Sequence, residues 1–186
     1  MVMVIASLYA RIIEDWELAP DMRNPAHGCM LFPERKRERF LSPEERQRLH
    51  EVVQAGLRIP AGRRGNLKIE SVWALDLIAL TGRRKSEILT LTWPMVDWQH
   101  SLLNLPDTKS GELKVQVSGH VLALLRHIHD QTGNPRTGYV LRTAKGTRLT
   151  GLDLTWRNIR KAADLTDVRL HDLRHSFASD ALMSGV

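Results

Sequence analysis

The sequence predicts an α+β fold, mainly α-helical, with a small antiparallel sheet of about three strands. Three observations predict it. Apolar residues recur at helical spacing in several separate stretches, such as Leu49, Val52 and Val53, or Val121, Leu122, Leu125 and Ile128. Between Ser101 and Ser118 the period falls to two on either side of a polar turn. The composition, 42% hydrophobic and 26% charged over 186 residues, is that of a globular chain long enough to bury a core.

The elements follow in order. Val4, Leu8, Ile12 and Ile13 mark a helix over residues 1–19, ended by Pro20. One amphipathic helix cannot bury its own face, so it must pack on something. Residues 20–41 carry Pro20, Asn24-Pro25, Gly28 and Pro33, then the run Glu34 to Arg39, and read as a linker. Ser42-Pro43-Glu44-Glu45 is a helix start with a capping box and a proline at the first helical position. Leu49, Val52 and Val53 give that helix its buried stripe, and Gly56 is expected to close it.

A basic loop over 57–68 leads to the most apolar stretch, Ile69 to Leu80, a helix expected at the centre of the core. Thr81-Gly82 breaks it, and a second helix starts at Arg83 with Ile88 and Leu91 buried. Ser101–Pro106 and Leu113–Ser118 read as strands joined by a hairpin turn that carries Lys109, and Met95–Trp98 as a third strand. A helix ends near Asp130, Tyr139 to Leu141 is extended, and Leu154, Ile159 and Ala163 mark a further helix. No internal repeat or low-complexity tract interrupts this order.

Charge narrows the partner. Lys and Arg outnumber Asp and Glu by 27 to 21, and the sequence pI is about 9.9, which favours an anionic partner, nucleic acid first. The one cysteine, Cys29, excludes a disulfide framework or a cysteine-built zinc site within the chain and fits a reducing cytoplasm. The apolar opening Val2 to Ala10 is too short to span a bilayer, and no basic residues precede it as in a signal peptide.

The chemistry gathers in the last stretch, Leu170-His171-Asp172-Leu173-Arg174-His175-Ser176-Phe177-Ala178. On a helix His171 and Arg174 share one face, while Leu173, Phe177 and Ala181 turn toward a core. An arginine that can fork onto phosphate oxygens beside a histidine that can move a proton suits a phosphate-handling site. Taken singly, each basic feature also reads as ordinary solvated surface. A metal phosphohydrolase using His129-Asp130 and His171-Asp172 is the competing chemistry. Adjacent residues on a helix diverge by about 100°, however, and no further spaced ligand set stands out.

The stretches Thr81-Gly82-Arg83-Arg84-Lys85-Ser86-Glu87-Ile88-Leu89, Thr108-Lys109-Ser110-Gly111 and His171 to Ala178, in that order, resemble the tyrosine recombinase (phage integrase) family. Asn24-Pro25 and Arg39-Phe40-Leu41-Ser42-Pro43-Glu44-Glu45 resemble the junction before that family's catalytic domain. The resemblance implies a catalytic-domain-like fold with the sheet on one edge, and DNA cleavage by a tyrosine through a 3′-phosphotyrosine, with no metal or cofactor. It implies that Arg84 and Arg174 hold the scissile phosphate, that Lys109 protonates the leaving oxygen, and that His171 assists proton transfer. Glu87 and His175 are implied as supporting residues, and Arg35, Lys36, Arg37, Arg39, Arg83 and Lys85 as DNA contacts.

It implies, too, that residues 1–23 are the last helix of an otherwise missing core-binding domain, 24–41 a linker, and 42–186 a catalytic domain lacking its C-terminal part. The family pattern continues past the closing helix to a further His or Trp and then the tyrosine; here the tyrosines are Tyr9 and Tyr139, both out of motif order. The expectation is therefore a cytoplasmic recombinase fragment, truncated at both ends, inactive alone, binding duplex DNA and associating with itself or a full-length protomer. The alternative is a non-catalytic DNA-binding remnant or modulator.

Overall fold

The computed structural model describes residues 2–16, 22–29, 39–107 and 111–174, and the chain divides into two compact units, 1–37 and 38–186. In the first unit α1 (Val2–Ala10) continues into a π-helical turn, Arg11–Asp15, with the Trp16 N–H donating to the Arg11 carbonyl at 2.9 Å. The expected single helix to Pro20 is thus a shorter α-helix and a wider turn, and residues 17–20 lie outside the described set. The Asn24 amide donates to the Ala6 carbonyl at 2.9 Å, folding the following segment back on α1.

In the second unit, α2 (Pro43–Arg58) starts as expected. The Ser42 hydroxyl accepts from the Glu45 N–H at 3.2 Å, and the Glu45 carboxylate accepts from the Ser42 N–H at 2.9 Å. Gly56 does not close this helix: it is buried inside it, and the helix runs on to Arg58. The glycine is there for another reason. A Cβ on Gly56 would stand 2.6 Å from Leu67 Cγ, and the Gly56 carbonyl accepts from the Leu67 N–H at 3.0 Å. Only a bare backbone lets the basic loop lie this close.

α3 (Ile69–Thr81) buries residues on every side, among them Val72, Leu75, Leu77 and Ile78, and packs on α4 (Lys85–Leu89), α5 (Gly119–Gln131) and α6 (Leu152–Ala162). It ends on Gly82, whose left-handed φ of 60° turns the chain into α4 at no Cβ cost.

The sheet is β1 (Val96–Asp97), β2 (Leu102–Asp107) and β3 (Gly111–Gln116), antiparallel in that order. Leu103 pairs with Val115 and Leu105 with Leu113, and the pleat turns Leu103 and Leu105 into the core. Tyr139 bridges Thr92, and the Val140 N–H donates to the Leu91 carbonyl at 2.9 Å, so the extended segment 139–141 pairs as a single strand-like contact.

α6 also corrects an expectation. Leu154 is exposed; the buried stripe is Leu152, Trp156 and Ile159, spaced four and three apart. Among the described residues no helix is long and apolar enough to cross a membrane.

Candidate functional site

The turn after α3 is built by its own side chains. The Thr81 hydroxyl donates to the Leu77 carbonyl and accepts from the Arg83 N–H at 3.2 Å. Gly82, with a left-handed φ of 60°, then turns the chain into Arg83, Arg84 and Lys85.

The segment 163–169 is held just as firmly. Leu165 and Val168 are buried, the Leu165 N–H donates to the Arg160 carbonyl at 2.7 Å, and the Arg160 guanidinium donates to the Val168 carbonyl at 2.9 Å. Residues 170–174 are helical, started by the buried Asp172, whose carboxylate accepts from the Arg169 N–H at 2.8 Å. Leu173 anchors this turn in the core.

These two segments and α6 enclose a cleft of about 350 Å³, lined by Ile78, Arg83, Lys85, Asp153, Arg169, Leu170, His171 and Arg174. Four of the lining residues are permanently cationic and one is acidic, and that acid is already matched: Lys85 Nζ lies 2.7 and 2.9 Å from the Asp153 carboxylate oxygens. Among the described residues Arg83, Arg169 and Arg174 pair with no carboxylate. The Nε of Arg83 is buried without a hydrogen-bond partner. A half-desolvated guanidinium beside Ile78 and Leu170, with no counter-charge, is costly unless an anion completes it. The arrangement is suited to a phosphate or other oxyanion.

The sequence-predicted residues fall into three groups. His171 and Arg174 line the cleft together, as do Arg83 and Lys85, which the resemblance implies as more general DNA contacts. Arg84 does not line it. Its side chain is 70% exposed and rests on Glu87 at 3.2 Å, and the Glu87 carboxylate also accepts from the Arg84 N–H at 3.1 Å. Glu87 thus fixes both the start of α4 and its arginine. Lys109, His175, Arg35, Lys36 and Arg37 lie outside the described residues; the sheet brings the hairpin bearing Lys109 to the pair Asp107 and Gly111.

Arg39 is occupied elsewhere in the unit. It forks onto Glu45 at 2.6 and 2.9 Å and donates from Nε to Asp167 at 2.7 Å. Hydrogen bonds from Arg39 and from the Ser42 N–H hold the Glu45 carboxyl down at about 2, and the two carboxylates raise Arg39 further above its ordinary value.

Two lining residues were missed from sequence. Asp153 carries no signal, because nothing in the chain order ties it to a lysine 68 positions earlier. Arg169 had one: it caps the start of the His171 helix, two residues upstream of the motif.

His129, half of one His-Asp pair, packs edge-on against Trp93 at 4.7 Å and holds its Nε2 3.1 Å from the Pro135 carbonyl. Among the described residues no three His, Cys, Asp or Glu side chains are placed to hold a metal ion. The phosphohydrolase alternative therefore finds no ligand set there.

Tyrosine recombinases share this frame. The phage integrase family model matches residues 39–186. The integrase of Salmonella phage P22 is 26% identical over 83% of this chain and 39% of its own length. A putative integrase/recombinase of Sinorhizobium fredii is 29% identical over 94% of this chain and 61% of its own length. The chain therefore spans 39% and 61% of the lengths of these curated relatives. Among solved structures, the Tn1549 transposon integrase in complex with transposon right end DNA superposes with a TM-score of 0.67 at 16% identity, covering 100% of this chain and 66% of that one. A lambda integrase dimer bound to a COC′ core site gives 0.65 at 12% identity, covering 98% and 65%. With a three-stranded edge sheet, a helical core and a match that spans the whole second unit from Arg39 onward, the chain belongs to the phage integrase family, the tyrosine recombinases.

Proposed function

We propose that this chain is the DNA-binding, phosphate-holding portion of a site-specific recombinase. One observation carries the reading: a cleft in which Arg83, Arg169, His171 and Arg174 converge with no unmatched carboxylate among the described residues. The proposed substrate is a DNA phosphodiester. Arg174 holds its non-bridging oxygens from within the cleft and Arg84, which does not line it, from its exposed place at the start of α4; His171 assists proton transfer, and Lys109 protonates the leaving 5′ oxygen. In-line attack on a phosphodiester concentrates charge on the equatorial oxygens, where fixed guanidinium donors help the transition state more than the ground state. Glu87 keeps Arg84 oriented, and His175 supports the closing helix. In the proposed division, 1–23 belongs to a DNA-clamping domain, 24–41 is a linker and 42–186 is the catalytic domain.

Tyr139 does not line the cleft, and Tyr9 belongs to the other compact unit. These 186 residues by themselves are therefore proposed to bind duplex DNA without forming a covalent adduct, independently of any metal. Self-association on DNA is part of the proposal, supported by a lambda integrase tetramer bound to a Holliday junction, which superposes with a TM-score of 0.64.

The test is a binding titration on nicked duplex, followed by a denaturing gel. Salt-sensitive binding, unchanged by chelator, weakened by Arg174→Ala and not restored by Arg174→Lys, is expected, with no DNA retained on denaturation. A covalently shifted band would overturn the absence of a nucleophile. Unchanged affinity in both variants would make the cleft vestigial and leave the second reading, a modulator that binds DNA elsewhere.

A further inference from the structure

Arg39 is the second residue of the compact unit 38–186, and its basic neighbourhood in sequence marks it as a DNA contact. Its surroundings do not fit that role. The guanidinium fork is closed by both Glu45 oxygens, and the remaining Nε–H is taken by Asp167. Two carboxylates thus hold one guanidinium, and its N–H groups are turned to them rather than outward to a phosphate.

What the cluster does reach is the segment that leads into the cleft. Glu45 is a rigid base, fixed in the first turn of α2 by the Ser42 N–H. Asp167 lies four residues before His171, in the segment whose backbone is pinned at Leu165 and Val168. Four residues of chain join Asp167 to His171, and they run without a break into the closing helical turn. Exposed ion pairs contribute little as a rule. The Arg39–Glu45 pair has the exceptional geometry, a bidentate fork with side chains only 24% and 17% exposed, and it holds the guanidinium still for its single contact to Asp167, whose side chain is 57% exposed.

We propose that Arg39 is a positioning residue: through Asp167 it locks the segment 163–169 onto the start of α2 and so sets where His171 and Arg174 stand in the cleft. The consequence for DNA rests on the phosphate-site reading above; the locking itself does not.

The test compares Arg39→Gln, Asp167→Asn and the double variant in the full 186-residue chain. The first readout is the affinity for duplex DNA across a salt series. Positioning predicts that both single variants bind about three- to tenfold more weakly, and that the double variant loses less than the two singles summed, because they share the Arg39–Asp167 contact; strictly additive losses overturn it. It also predicts an unchanged salt slope. The sign at Asp167 is diagnostic, since removing a negative charge from a surface that merely lies near DNA tightens binding. If Arg39→Gln instead lowers the slope by about 0.9, the value for one lost phosphate contact, while Asp167→Asn binds equally or more tightly, Arg39 is a DNA contact and the proposal fails.

The second readout needs no DNA. Amide hydrogen exchange over residues 165–174 is expected to speed up in both single variants while the amides of α3 stay protected. Unchanged protection there overturns the proposal. A wild-type chain that fails to bind DNA overturns the phosphate-site reading alone, and the exchange result still decides the positioning role.

Discussion

Gly56 shows how one missing methyl group can set the distance between a helix and a loop. Replacing it with alanine gains about 1 kcal/mol of helix propensity. The new Cβ, however, falls 2.6 Å from Leu67 Cγ and 3.2 Å from the Gly65 carbonyl oxygen. Overpacking of that kind costs about 1–3 kcal/mol, so the clash wins and Gly56→Ala is expected to be destabilising in a urea titration. Adding Leu67→Ala should return part of the loss, since the side chain that is struck is gone; strictly additive effects would show that the close approach is not the cause. Nothing in the local pattern distinguishes this glycine from a helix terminator, because both uses place a glycine after an apolar stripe. The reason it stays inside the helix lies eleven residues away at Leu67.

At the scale of elements, the start of α2 is where sequence reading succeeds, because a capping box is written in four consecutive residues. Ser42→Ala removes the acceptor for the Glu45 N–H and should cost about 1 kcal/mol in thermal or chemical unfolding. The same element carries a pH dependence. The Glu45 carboxyl is held at about 2 against an ordinary value of 4.5, so its contribution is present above about 4.5 and fades as pH falls toward about 2. Stability measured down this range should drop, and Glu45→Gln should flatten that part of the curve; an unchanged curve would mean the Arg39 contact contributes nothing. The turn after α3 is legible only in outline. Thr81-Gly82 announces a break, but which of three successive basic residues enters the cleft depends on the left-handed turn at Gly82 and on the Thr81 hydroxyl, not on composition. Hence Arg83 and Lys85 line the cleft with Arg174, and Arg84 leans on Glu87.

For the molecule as a whole, the order of helices and the three-stranded sheet were readable because each rests on local periodicity, whereas the pair Lys85 and Asp153 was not, because it joins α4 to α6 across the fold. That pair also bears on electrostatics. Asp153→Asn frees Lys85 and leaves the cleft without its one acid, so DNA affinity is expected to rise and the salt dependence to steepen by about 0.9, the increment of one added phosphate contact. A flat response would place Lys85 out of reach of the DNA. Finally, Ile78 is at once a member of the central helix, 2% exposed, and part of the cleft wall. The floor of the site and the keel of the fold are the same side chain. Variants selected only for stability and variants selected only for grip on DNA must therefore accept the same residue there.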